Sequence, residues 1–296
     1  MSRKYIIDKL GGTLTLLCAS LVIVLTVSLI YFIGSKGLTT FFFNGVSLRE
    51  FLFSAQWWPD RPAAEGGPLL GALSMIIGSI LISLLAVGIS APLGVVVAVF
   101  LVEIAPGWGQ RVLQPAVELL AGIPSVVYGY IGLSLLVPLI RGNIGGGGFS
   151  LLAGFLVLSV MILPTIISVS ADGIRALPVE WKHASIALGS TRWQTIRLVL
   201  VPAARSGLIT AVVLGLARAF GEALAVQMVI GNTRQIPISI LDPMMTLTSA
   251  ITMDMGATIM GTPWNNALWS MGLILLLMSL FFILLIRFVV RRGTAQ

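Results

Sequence analysis

Six stretches of the chain run for about twenty residues or more with almost no charge, and nothing else in the sequence narrows the possible folds as far. They are residues 12–33, 68–102, 112–140, 150–171, 204–230 and 265–286. At a rise of about 1.5 Å per residue, roughly 20 apolar residues cross the hydrocarbon core of a bilayer as helix, so each stretch is long enough to span. The composition agrees: 57% of the 296 residues are apolar and 10% are charged, against about 45–50% and about 25% in soluble domains. A soluble fold is excluded, and an all-α polytopic membrane protein with six transmembrane helices is predicted.

The formal charge of +7 would suggest nucleic acid in a soluble chain. Here the basic residues cluster in loops between spans, without a basic face interleaved with aromatics, so no nucleic-acid partner is expected. Cys18 and His183 are the single cysteine and histidine, which excludes an internal disulfide and a multi-histidine metal cluster. The first span follows Arg3, Lys4 and Lys9. A secretory signal is the competing reading, but the apolar stretch is too long and no small-residue cleavage pattern follows. Leu16 and Leu17 precede Cys18 where a lipoprotein signal wants small residues, so Cys18 reads as lipid-facing. The second span could be two short ones broken at residues 91–94; without a polar turn between the halves, one tilted, kinked helix is expected.

Six spans place both termini on one side. With the N-terminus inside, the inner loops and ends hold Arg3, Lys4, Lys9, Arg111, Arg175, Lys182, Arg192, Arg197, Arg205, Arg287, Arg291 and Arg292. The outer loops hold Lys36, Arg49, Arg61, Arg141 and Arg234, and Arg218 lies within a span. The positive-inside bias predicts cytoplasmic termini, and it sets Trp57, Trp58, Trp264 and Trp269 near the outer headgroups. Outer residues 34–67 contain two apolar runs, 38–43 and 51–58, too short to span. They read as re-entrant or interfacial helices that can also help dock an external partner. Gly145 to Gly148 read as a flexible outer connection and only weakly as a phosphate nest.

The inner loop, residues 172–202, reads as helix, turn, helix. Pro178 suits a first helical turn. Val179, Trp181, Ala184, Ile186, Ala187 and Leu188 supply apolar surface, and Gly189 can take the left-handed conformation that ends a helix. Thr191 and Gln194 fit a capping box that starts a second helix. Such a helix either lies flat on lipid or offers a knob to a soluble partner.

This loop resembles that of importer permeases of the ATP-binding-cassette type, which carry Glu-Ala-Ala, three residues, Gly, nine residues, then Ile-x-Leu-Pro. His183-Ala184-Ser185, Gly189 and Val199-Leu200-Val201-Pro202 occupy those places, with His183 where the motif is acidic. Further blocks are similar to the PstC-type permease of bacterial phosphate importers. These are Leu101-Val102-Glu103-Ile104-Ala105-Pro106-Gly107-Trp108, Glu118-Leu119-Leu120-Ala121-Gly122-Ile123-Pro124-Ser125-Val126-Val127-Tyr128-Gly129, Arg218-Ala219-Phe220-Gly221-Glu222 and Ile230-Gly231-Asn232-Thr233.

The resemblance implies the type I importer fold: an N-terminal helix and outer loop over residues 1–67, then a five-helix core over 68–296 with a cytoplasmic coupling loop at 172–202. It also implies a second, PstA-like permease, two PstB-type ATPase subunits docked on Pro178, His183, Ala184, Ser185 and Gly189, and an external phosphate-binding protein. Phosphate is the implied substrate, and no cofactor is expected. No G-x-x-x-x-G-K-[ST] occurs, so ATP must be hydrolysed elsewhere, and no H-E-x-x-H offers zinc ligands. A permease for sulfate, molybdate or phosphonate, a passive anion channel and a polytopic membrane enzyme are the alternatives.

Arg218 lies fourteen residues after Ala204 and twelve before Ile230, near the bilayer midplane. An arginine there costs on the order of 2.5–3.5 kcal/mol on insertion scales, so it should face the bundle interior, water or a partner. Read as helix, Glu222 falls one turn on along the same face. The two then form either an intrahelical salt bridge that permits insertion, or a substrate site in which Glu222 holds the guanidinium until phosphate arrives. Gly215, Ala217 and Gly221 either leave room for an ion or serve helix packing. Glu118 either snorkels to cytoplasmic water or pairs with Arg111 or Arg205. Ile123-Pro124-Ser125 interrupts the third span, where Ser125 and Tyr128 can line the path. Asn232 and Thr233 form an outer gate or a helix end. Met244, Met245, Met253, Met255 and Met260 read as apolar packing, since a soft-metal site would need them to converge.

Overall fold

The apolar stretches become helices whose ends are set by local breakers. In the computed structural model, which describes residues 3–105, 107 and 109–293, α1 is Arg3–Phe42 and α2 is Leu48–Phe53. The two-residue strands β1 (Trp57–Trp58) and β2 (Leu69–Leu70) pair antiparallel. They are followed by α3 (Leu73–Ile104), α4 (Gln114–Gly122), α5 (Ser125–Asn143), α6 (Leu151–Arg175) and α7 (Val179–Ala187). Then come α8 (Arg192–Ala203), α9 (Arg205–Gly221), α10 (Leu224–Gln227), α11 (Leu247–Asp254) and α12 (Pro263–Gly293). Pro106 and Trp108, and the side chains of Arg3, Lys4, Arg291 and Arg292, lie outside the described residues.

Among the described residues, five helices, α1, α3, α5, α6 and α12, are long and apolar enough to cross a membrane, and α8 with α9, bent by 66°, makes up to six. The second span is one helix, with Pro92 inside it, as expected. The third is interrupted at Ile123 and Pro124, both extended, so that α4 stands apart from α5. α1 and α12 run antiparallel: Ser270 Oγ donates to Gly37 O at 2.6 Å and Asn266 Nδ2 to Asn44 Oδ1 at 2.8 Å. The start of α1 and the end of α12 therefore lie at the same end of the bundle.

The centre of the bundle is α3 against α6 with α9 lying across both. Small residues make this approach possible. The side chain of Ile166 is wedged between Gly94 of α3 and Gly215 of α9, where a Cβ would lie 2.6 and 2.8 Å from it. Ile82, Leu158, Ile162 and Leu216 fill the core around this contact. A second core closes the α7 end with Ala98, Val99, Ile174, Ile196 and Leu200.

Three expectations are corrected here. Residues 38–43 are not a separate re-entrant piece: α1 continues to Phe42, because no breaker intervenes before Asn44 and Gly45, which has φ +65°. Nor is the run 51–58 interfacial. Phe51 and Trp57 are buried, 0% and 1% exposed, against Leu70, Met75, Leu247, Leu268 and Met271. Folding over the end of the bundle shields Phe51 from water, about 1.5–3 kcal/mol. Trp58, by contrast, is exposed. Of the methionines, Met244, Met245 and Met255 pack into cores, whereas Met253 and Met260 are exposed.

Candidate functional site

Arg218 sits in the last turn of α9, half-buried, where the helix dipole favours a cation. Its Nη1 donates to Thr165 Oγ1 of α6 at 2.9 Å. Among the described residues no carboxylate lies within ion-pair distance of it; the ion pairs are Arg61–Glu65, Arg175–Asp172, Lys182–Glu103 and Arg234–Asp254. Among the described residues the guanidinium is thus held by one neutral hydroxyl, with no other hydrogen-bond partner.

The expected Arg218–Glu222 pair is corrected by the backbone. α9 stops at Gly221, and Glu222 is extended, with φ −76° and ψ 127°. Its Oε1 accepts from Ala225 N at 3.0 Å, and its carbonyl accepts from Thr248 Oγ1 at 2.8 Å. The residue expected one turn further along instead bonds the first turn of α10 from the position before its N-cap, Ala223. Gly215 proves to be a packing glycine, whereas nothing lies within 4 Å of a Cβ at Gly221. Asn232, in the left-handed region with φ 50°, donates to Gln227 O at 2.8 Å and closes the end of α10.

Tyr128 comes to the same neighbourhood. Gly129 beside it meets α10 so closely that a Cβ would lie 2.9 Å from Ala225 Cα, and Tyr128 belongs to the same core as Leu216, Ala219 and Phe220 of α9. The Tyr128 hydroxyl donates to Leu120 O at 2.7 Å, across the break that separates α4 from α5. Ser125 opens α5, half-buried, one turn nearer the α7 end. Glu118 stands apart: its Oε1 accepts from Gln114 Nε2 at 2.9 Å, and Gln114 Oε1 accepts from Arg175 Nη2 at 2.7 Å. This relay, rather than the expected Arg111 or Arg205, borders a cavity of about 270 Å³ with Asp172 and Ser168.

The inner loop folds as its sequence indicates. Pro178 is the N-cap of α7, Gly189 has φ +86°, and Thr191 and Gln194 form both bonds of the capping box. His183 and Ala184 are exposed, while Ser185 is buried, its Oγ 3.0 Å from Thr195 Oγ1 of α8. Trp181, Ile186, Leu188 and Trp193 leave large apolar area on the surface. Contiguous exposed apolar side chains on a loop between spans mark an interaction face.

Sequence reasoning missed two residues. Thr165 was detectable as a hydroxyl in mid-span beside Pro164, but hydroxyls are common in spans and only the crossing of α6 with α9 reveals its partner. Glu103 was visible within its motif block, yet its contact with Lys182 links positions 79 residues apart.

Residues 90–294 match the family described as binding-protein-dependent transport system inner membrane component. A probable ABC transporter permease protein, YqgH of Bacillus subtilis, is 56% identical over 283 residues, covering 95% of this chain and 90% of its own. The phosphate transport system permease protein PstC of Haemophilus influenzae is 34% identical over 263 residues, 82% of this chain and 81% of its own. In fold, the chain is similar to one in a bacterial alginate ABC transporter complexed with alginate pentasaccharide-bound periplasmic protein. There the TM-score is 0.64 at 15% identity, covering 99% of both chains.

Proposed function

From the premise that this chain belongs to the family of inner membrane components of binding-protein-dependent transport systems, and is an ABC importer permease, we propose that its substrate is phosphate and that it provides half of the pathway. A second, PstA-like permease completes the pathway as a heterodimer. An external phosphate-binding protein delivers the anion, and two PstB-type ATPase subunits dock on α7 at Pro178, His183, Ala184 and Gly189. Residues 68–296 act as the transporting core and residues 1–67 as its peripheral helix and outer cover. The membrane is the bacterial cytoplasmic membrane, with α7 and both termini in the cytoplasm.

In this reading ATP binding draws the docked ATPase subunits together, and α7 carries the motion into the spans. The path opens outward to receive phosphate, and the reset after hydrolysis opens it inward. Each ligand drives this alternation only by binding one state better than the other. Arg218 meets the anion with a planar, permanently charged fork suited to phosphate oxygens. Tyr128 and Ser125 contribute polar groups on the α5 side, and Glu118 stands nearer the cytoplasmic exit. Glu222 shapes the break beside the site rather than pairing with the cation.

The observation that supports the reading is an arginine in the last turn of α9 whose one hydrogen-bond partner among the described residues is a neutral hydroxyl in the middle of α6. A charge so placed is costly, and a passing anion accounts for its retention. The test is ATP-driven uptake of labelled phosphate by proteoliposomes containing the chain with its partner permease, ATPase and binding protein. Uptake that sulfate, molybdate and phosphonate fail to inhibit supports phosphate. Competition by one of these anions at equal concentration transfers the assignment to that anion, and flux without ATP supports a passive channel.

A further inference from the structure

Glu103 is a buried carboxylate to which the proposed function gives no role. It lies at the α7 end of α3, in a turn of π-helix over Phe100–Ile104, and its side chain is only 10% exposed. Wide turns of this kind aim side chains that a regular helix would direct elsewhere. Here Glu103 Oε2 accepts from Lys182 Nζ, in the middle of α7, at 2.6 Å. The backbone carbonyl of Glu103 accepts from Arg192 Nη2, at the start of α8, and Ile104 O lies 3.4 Å from the same nitrogen. One residue of α3 thus receives both helices of the loop. The buried contact between Ser185 and Thr195 closes the third side by joining α7 to α8.

Covalently, α7 is tied to α6 only through Ala176, Leu177 and Pro178. Such a link transmits a pull but leaves α7 free to swivel. A buried ion pair is weak evidence for stability, since well-packed apolar groups serve as well, but it fixes one geometry. We infer that Glu103 is a positioning residue that locks the partner-docking helix α7 to α3, so that a tilt imposed on α7 becomes a tilt of α3.

The route from α3 toward the site is physical contact throughout. Ser90 Oγ of α3 donates to Ser159 O of α6 at 2.9 Å, and Ser159 Oγ returns a bond to Ala86 O at 3.3 Å. These buried crossings make α3 and α6 move together. Ile166, held between Gly94 and Gly215, adjoins Thr165, the partner of Arg218. Displacing the end of α3 therefore shifts the hydroxyl that holds the guanidinium.

This inference rests on the reading of α7 as the ATPase-docking helix. The test uses the complete importer in proteoliposomes, with Glu103→Gln, Lys182→Met and the exchanged pair Glu103→Lys with Lys182→Glu. We expect each single variant to retain bound ATPase but lower phosphate taken up per ATP hydrolysed by about five-fold or more, and the exchanged pair to recover most of the loss. An unchanged ratio in both single variants, or an exchanged pair no better than either, overturns the inference. A second measurement does not depend on the substrate: spin labels at Glu180→Cys on α7 and Val96→Cys on α3, in a Cys18→Ser background. A narrow distance distribution that broadens with Glu103→Gln supports the lock, and one that stays unchanged refutes it. Absence of phosphate uptake by the wild-type complex counts against the proposed substrate, while the label distances still decide on Glu103.

Discussion

Replacing Arg218 by glutamine separates the two roles a mid-span arginine can have, because one predicts little change in stability and the other a large loss. Glutamine keeps a polar end but stops two bonds short of the guanidinium Nη1, so both the charge and the contact of Arg218 Nη1 with the Thr165 hydroxyl at 2.9 Å are given up. Removing the charge relieves about 2.5–3.5 kcal/mol of insertion cost. Against this stand the loss of a charge-assisted hydrogen bond, about 1.5–3 kcal/mol, and of a favourable place at the helix C-terminus, about 0.3–1 kcal/mol. The terms nearly cancel, so stability should stay within about 1.5 kcal/mol of wild type, a shift in melting temperature below about 6 °C. Had Arg218 been half of a buried ion pair, the same change would cost about 3–5 kcal/mol. Transport should respond differently. Two charge-assisted bonds to a phosphate are lost at about 1.5–3 kcal/mol each, which lowers uptake by more than about 100-fold. Thermal unfolding of the purified complex and labelled phosphate uptake by proteoliposomes measure the two effects. A melting temperature lowered by more than about 10 °C, or uptake within about ten-fold of wild type, refutes the assignment of Arg218 to the path.

Two further substitutions probe the turns that place the site. At Gly189, with φ +86° and nothing within 4 Å of a Cβ, valine meets only conformational strain, about 1–2 kcal/mol. It should weaken co-purification of the ATPase and reduce ATP-driven uptake without altering insertion, whereas wild-type association would remove the turn from the docking assignment. In Tyr128→Phe, Leu120 O keeps only the longer bond from Ile123 N at 3.3 Å. Losing about 1 kcal/mol should speed amide exchange within Gln114–Gly122 by about five-fold, and unchanged exchange there would show that α4 is held by Gln114 and Val117 instead.

Much of the architecture was legible because lipid imposes a length on every span, and that length is written as charge-free sequence. The helix-turn-helix of the inner loop was legible for a local reason: Pro178, Gly189 and the Thr191–Gln194 box each act within a few residues. The second span's continuation through Pro92 was legible too, whereas the end of α9 and the packing of the outer loop were not. Gly221-Glu222 ends α9 inside a stretch whose hydropathy continues to Ile230, and hydropathy does not register a backbone break. Phe51 and Trp57 looked interfacial because their buried neighbours, Leu247 and Leu268, are some two hundred residues away. Thr165 and Glu103 were hidden in the same way, since each acquires its meaning from a side chain on another helix.

In the proposed reading of Arg218, the break after Gly221 also bears on how the site can hold an anion without trapping it. Had α9 continued, Glu222 would lie beside Arg218 and neutralise it, and an arriving anion would have to displace a carboxylate that remained close enough to repel it. Instead Glu222 is held by Ala225 N and Thr248, and in the proposed reading the anion would exchange with a neutral hydroxyl. A hydroxyl yields the guanidinium at little cost and takes it back when the anion leaves. Entry and exit are then both shallow, as a conducting path requires. The proposed reading thereby gives Thr165 a part in the timing of release, because any motion that brings its oxygen closer to Arg218 would compete directly with the substrate.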